Sequence, residues 1–174
     1  MPAAVSLRAV SRCTLFCMKT LIRSIVWLAL IVWLGGLLFF PITAWAAFST
    51  IADTHAAGTI VAKCLGVLHH EGLFAGCVIV LFLAVGRAMR VYRAGGIVGI
   101  AITLVMLAFT AYSQFSIIPR MEKDRIGVGG AIDSVPPTDP HHADFDRLHH
   151  TSEHVEEAVM LAGIVLVIAL AREP

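Results

Sequence analysis

Residues 24–52 read SIVWLALIVWLGGLLFFPITAWAAFSTIA, 29 positions without one charged side chain. A helix needs about 20 apolar residues to cross about 30 Å of hydrocarbon, so this run is long enough to span a bilayer. Residues 94–119 form a second such run of 26. Two shorter runs, 72–86 and 158–171, hold 15 and 14 residues. They reach spanning length only by extending back, the first through Glu71, His70 and His69 to Cys64, the second through Glu157, Glu156, His154 and Glu153. The expected fold is all-α, a four-helix transmembrane bundle with helices centred near residues 34, 76, 106 and 161.

Composition agrees. Of 174 residues 58% are hydrophobic and 14% charged, with mean hydropathy +0.84. So few charges could not cover a soluble globule, where about 25% is usual. Disorder, a basic nucleic-acid-binding field and a disulfide-dense scaffold are excluded on the same grounds, so the expected partners are a lipid bilayer and no nucleic acid. Lys19 and Arg23 before an apolar run, with Ala44-Trp45-Ala46 after it, imitate a signal peptide, but the run is too long for a signal core. Residues 1–19 read as a cytoplasmic tail, with Met18 as an alternative start, and 20–174 as the membrane domain with an external loop over 119–146.

Orientation follows from Lys and Arg. Arg8, Arg12, Lys19, Arg23, Arg87, Arg90, Arg93 and Arg172 fall on one side; Lys63, Arg120, Lys123, Arg125 and Arg147 fall on the other. Three Arg without an acid in residues 87–93 decide the matter: both termini are expected in the cytoplasm of a multi-pass plasma-membrane protein. Gly72 and Gly76, and Gly95 and Gly99, have the spacing that lets helices approach closely. That spacing reads first as packing within the bundle and second as a homo-oligomer face. Pro41 is expected to kink or end the first helix. The cysteines, Cys13, Cys17, Cys64 and Cys77, form no zinc or redox motif.

The eight histidines carry the functional signal. His69 and His70 precede Glu71. On the last helix Asp146, His150, Glu153, His154 and Glu157 fall within about 100° of one another, a polar stripe expected to face the bundle. Depth counting brings these groups, with Tyr112, Ser113, Gln114 and Thr43, to one level, which implies an outward-facing polar cleft. Carboxylates there need partners. His69, His70, Glu71, His150, Glu153, His154 and Glu157 are the expected metal ligands, suited to zinc, copper or iron, and His149 with His150 would suit haem. The alternatives are a His–Glu network that only pairs helices, and a proton-coupled carrier, for which the apolar inner half offers a poor path. His150-Thr151-Ser152-Glu153-His154 also fits the H-x-x-E-H pattern of a zinc peptidase, with Glu71 as third ligand. The string is short and no catalytic residue is assigned on it; an enzyme is the less favoured reading.

Several strings resemble a known family. Trp33-Leu34-Gly35-Gly36-Leu37-Leu38-Phe39-Phe40 with Pro41 and Ala47-Phe48, Ile118-Pro119-Arg120-Met121 with Arg125, and Phe145-Asp146-Arg147-Leu148-His149 with Ser152 are similar to the transmembrane-protein-205-like group, domain-of-unknown-function family 4149. The likeness covers roughly residues 20–172. It implies a four-helix integral membrane domain of undetermined activity, in which His149 and Ser152 are family positions while His150 and His154 belong to this chain. A fainter architectural likeness is to copper-resistance membrane proteins of the D type and to haem-binding protoporphyrinogen oxidases of membranes, an analogy that settles no function.

Overall fold

The computed structural model describes residues 3–173, with side chains over 15–173. The side chains of Arg8, Arg12 and Cys13, and Met1 as a start, lie outside those residues. Helix α1 is Ala3–Thr50, α2 Thr54–Ala88 and α3 Ala94–Tyr112; a π-helical turn Ser113–Ile117 leads into α4, Ile118–Gly127, and α5 is Pro140–Ala171. No strand occurs among the described residues. Four helical stretches, Leu15–Thr50, Thr54–Ala88, Ala94–Ser134 and Pro140–Ala171, are long and apolar enough to cross a membrane.

Local chemistry explains the boundaries. Asp53 caps α2, its carboxylate accepting from the His55 and Ala56 N–H at 3.0 and 3.3 Å. Asp139 caps α5 in the same way through His141 N–H at 2.8 Å, with Pro140 at the first turn, where its missing N–H costs nothing. The segment read as a tail belongs to α1, and α1 continues through Pro41 to Thr50 instead of ending there. The segment read as a loop over 119–146 is mostly helical too. Its irregular part shrinks to 128–139, which includes a 3-10 turn, Ile132–Ser134. Pro119 does not stop the third span because the turn before it widens: Ile118 N–H reaches back to Ser113 O. That extra residue relieves the press of the proline ring on the preceding turn.

The helices pack in the cyclic order α1, α2, α3, α5, with α5 meeting α1 over a shorter stretch. Trp33, Leu30, Val26, Ile79, Leu83, Met106, Val159 and Leu166 fill the centre. Outside it stands a belt of exposed apolar residues on every span, among them Ile31, Phe39, Phe74, Leu81, Val105 and Val165. A soluble protein does not show so continuous a belt, whereas lipid covers it without cost.

Glycines set the approach of α1 to α2. A Cβ on Gly72 would lie 2.8 Å from Trp33 Cε2, and one on Gly76 would lie 2.6 Å from Leu107 Cδ2 and 2.9 Å from Trp33 Cζ3. Gly99 meets Leu83, Leu166 and Leu170 in the same way. Gly72, Gly76 and Gly99 are therefore filled from within the chain. The homo-oligomer face expected through these glycines is already occupied by its own helices.

Arg23 of α1, the α2–α3 turn and Glu173 just after α5 meet at one end of the bundle. Arg23 donates to Val91 O at 3.3 Å and lies over the Tyr92 ring at 5.9 Å; Glu173 accepts from Arg93 N–H at 2.8 Å and from Gly95 N–H. Burial holds the Tyr92 phenol above its ordinary range, Arg23 working against that rise and Glu173 with it. The turn closes by bonds from Val91 N–H to Gly86 O and Arg90 N–H to Arg87 O, with Arg90 at φ 57° in the position that glycine usually takes. Arg90→Gly should therefore raise stability by about 1 kcal/mol and Arg90→Val lower it, read by thermal unfolding in detergent. Equal effects of the two would contradict the turn. Gly72→Ala should cost about 1–3 kcal/mol by overpacking, and most of that loss should vanish in a Trp33→Leu background. Strict additivity of the two changes would show that the indole does not occupy the Gly72 groove.

Candidate functional site

The end of the bundle away from the termini carries the polar groups. His69 of α2 is buried, with 1% of its surface exposed. Its Nε2 lies 2.6 Å from Glu156 Oε1 of α5, and its Nδ1 lies 2.9 Å from Gln114 Oε1 in the π turn. One ring thus ties three helices together. The Glu156 carboxylate accepts from Nε2–H. The other contact closes either with a doubly protonated ring donating to Gln114 Oε1, or with the amide turned so that its NH₂ donates to a neutral ring. One layer away Ser113 Oγ and Ser152 Oγ are 3.5 Å apart, both buried. Glu156 Oε2 is shielded from solvent and has no hydrogen-bond partner among the described residues.

Glu71 does not join this group. Two residues from His69 on α2 puts it about 200° around the helix. Its carboxylate lies beside Gly36 of α1, within 3.5 Å of where a Cβ would stand, and Oε1 is buried without a partner. His70 is exposed and donates from Nδ1 to Gly66 O at 2.6 Å.

The stripe on the last helix faces outward, against expectation. The side chains of His150, His154 and Glu157 are 73%, 80% and 66% exposed. They pair only along α5: His149 and His150 with Glu153 at 3.4 and 3.1 Å, and His154 with Glu157 at 3.4 Å. Such exposed pairs contribute a few tenths of a kcal/mol. The physical reason lies in the helix rotation. The buried face of α5 is Leu148, Ser152, Val159, Gly163, Leu166 and Leu170. At about 100° per residue, Glu156 lies on the edge of that face while His150 and His154 lie on the far side, and Glu153 and Glu157, though exposed, reach the rim of the cleft described below. Small residues at 152 and 163 mark the face that packs; the His and Glu density marks the face that does not.

Among the described residues no three His, Cys, Asp or Glu side chains converge so as to hold a metal ion. The expected ligand set of His69, His70, Glu71, His150, Glu153, His154 and Glu157 is split over three surfaces, and Glu71 stands apart from His150 and His154, so the peptidase constellation is not assembled either. Of the pair expected for haem, His149 faces the cleft described next and His150 does not line it.

That cleft opens between the second half of α1, the first half of α2, α4 and the first half of α5, and encloses about 660 Å³. Its walls are largely apolar, with Phe40, Trp45, Phe48, Leu65 and Met160. Phe145 and His149, stacked with ring centroids 6.2 Å apart and planes 12° apart, form part of the α5 wall together with Ser152 and Glu156. Arg125 ties α4 to α2 above it, donating to Thr59 Oγ1 at 2.9 Å. Sequence reasoning placed Gln114 at this depth without a role and passed over Glu156. Glu156 lies at the margin of the packed face of Val159, Gly163 and Leu166, which the uniformly apolar sequence after it does not mark.

Comparison of the chain with protein-family models, with curated proteins and with solved structures yields no match. The site is therefore read on its own geometry. His69→Ala should destabilise the protein by about 2 kcal/mol or more, because it leaves the Glu156 carboxylate buried without a donor. His150→Ala and His154→Ala should change stability by less than about 0.5 kcal/mol. Thermal unfolding of the purified protein in detergent reads both; a larger effect at His154 than at His69 would reverse the assignment.

Proposed function

We propose that the protein is a multi-pass plasma-membrane protein that binds a solute in its cleft, with both termini cytoplasmic and the cleft open to the outside. The observation that carries this reading is the cleft itself. A void of about 660 Å³ opens between α1, α2, α4 and α5 at one end of the bundle, whereas between the helices at the other end Ile22, Val26, Leu83 and Leu170 pack together. Its size is that of a small-molecule site, about 300–1,000 Å³. The orientation rests on Arg87, Arg90 and Arg93, which are exposed at the end that also bears Arg23 and the end of α5.

The structural reading draws support from part of the same region: the His69–Gln114–Glu156 group ties α2, the π turn and α5 together, and its Glu156 also lines the cleft. A metal or haem centre draws no support from the ligand geometry. A proton-coupled carrier draws none from the other half of the bundle, where Val26, Leu30, Ile79, Leu83, Leu166 and Leu170 meet and Thr103 spends its hydroxyl on Gly99 O at 2.7 Å. We also propose membership of the transmembrane-protein-205-like group. Its supporting string lies at the cleft: Phe145, His149 and Ser152 line it and Leu148 is buried beside it.

The test is thiol labelling in a cysteine-free background. Ala62→Cys, on the cleft wall, should react in intact cells with a membrane-impermeant maleimide. Ala88→Cys, at the α2–α3 turn, should react only after lysis. Labelling at 88 alone in intact cells would invert the topology, and an inert Cys at 62 both before and after lysis would deny an open cleft.

A further inference from the structure

We propose that the cleft takes amphipathic organic cations, molecules with an aromatic or aliphatic body and one fixed positive charge. The inference deepens the solute-binding reading and rests on it. Three features of the walls point the same way.

The first is charge. Glu122, Asp133, Glu153, Glu156 and Glu157 line the cleft against a single guanidinium, Arg125. Arg125 is already engaged by Glu122 at 3.5 Å and by Thr59 at 2.9 Å, so it offers little to an anion. Glu153 and Glu157 are exposed and share their charge with neighbouring histidines of α5. Glu156 differs. It holds His69 with one oxygen, while its other oxygen is shielded from water and accepts nothing. Of the five carboxylates it is the least exposed, so its charge is the least screened by water and attracts a cation in the cleft most strongly.

The second is the aromatic wall. Trp45 and Phe48 are 72% and 52% exposed, and Phe40 and Phe145 stand in the same lining. Aromatic faces attract organic cations, most strongly where water is thin. The third is size. No three ligating side chains converge for a bare metal ion among the described residues, and about 660 Å³ calls for an organic body to fill it. A neutral acyl chain would satisfy the apolar walls but leave the negative charge of the lining unbalanced. An anion would face five carboxylates.

The probes are tetraphenylphosphonium, its near-isosteric anion tetraphenylborate and neutral triphenylphosphine oxide, measured by equilibrium dialysis against the full chain in lipid nanodiscs. Cleft binding is the saturable part abolished by Ala62→Trp, whose indole would obstruct the void from the α2 wall. The expected result is saturable cleft binding of the phosphonium, at least tenfold tighter than that of either other probe. Glu156→Gln, whose amide oxygen can still accept from His69, should weaken the phosphonium tenfold or more and leave the neutral probe unchanged. Trp45→Ala, at an exposed position outside the packed core, should weaken the phosphonium several-fold whether or not Glu156→Gln folds. Equal cleft binding of all three probes would overturn the cation assignment and leave the cleft as a solute site. Binding of none of them in the cleft would overturn the assignment; the thiol labelling above, which does not depend on the probes, would then say whether the cleft is open.

Discussion

The indole of Trp33 in the groove of Gly72 and Gly76 is the contact on which the arrangement depends. In a membrane the hydrophobic effect gives helices no reason to associate, so shape and close approach must do it. Two glycines one turn apart let α1 lie close along α2, and the large ring fills the space their missing side chains leave. The contact also fixes the rotation of α2. With Gly72 turned toward Trp33, His69 falls about 60° to one side and Glu71 about 100° to the other. His69 thereby meets Gln114 and Glu156, and Glu71 meets α1 beside Gly36. Neighbours in sequence are sent to different surfaces by one packing decision.

The buried His69 follows from that rotation and imposes a demand of its own. A ring with both nitrogens away from water needs two partners, and each comes from a different helix. Gln114 reaches it from the π turn before Pro119, a local widening that a regular helix would not make there. Glu156 reaches it from the margin of the packed face of α5. The polar layer and the glycine groove are thus coupled, since loosening the first helix pair would move a nitrogen away from an acceptor already at 2.6 Å.

The spans were legible in the sequence because charge is so costly in hydrocarbon that its absence marks the bilayer without any knowledge of packing. Residues 24–52 and 94–119 needed no further evidence. That His69 and Gln114 stand at one level of the bundle was also legible, by counting residues from the charged turns. The face of α5 was not. Over residues 158–171 every side is apolar, so no contrast in polarity reports which side is buried, and the polar run before it was read as if its densest side faced inward. Water and headgroups can solvate His150, His154 and Glu157 at a helix end, so that side had no need of the bundle. The helical course of residues 118–127 was hidden by Pro119, which a regular helix would resist and a π turn admits.

The two ends of the bundle solve opposite problems, and this separates binding from conduction. Near the termini Ile22, Val26, Leu83, Tyr92 and Leu170 pack together, and Glu173 seals the α2–α3 turn by accepting two of its backbone N–H groups. At the other end α1 and α5 diverge, and α4 with the 128–139 connection stands over the gap. A solute in the cleft would meet Glu156 of the polar layer, below which the core is apolar apart from hydroxyls such as that of Thr103. To pass further it would have to separate Trp33 from Gly72 and Gly76, the contact that holds α1 to α2. On the proposed reading, a solute is therefore captured at one face and not passed through the bundle.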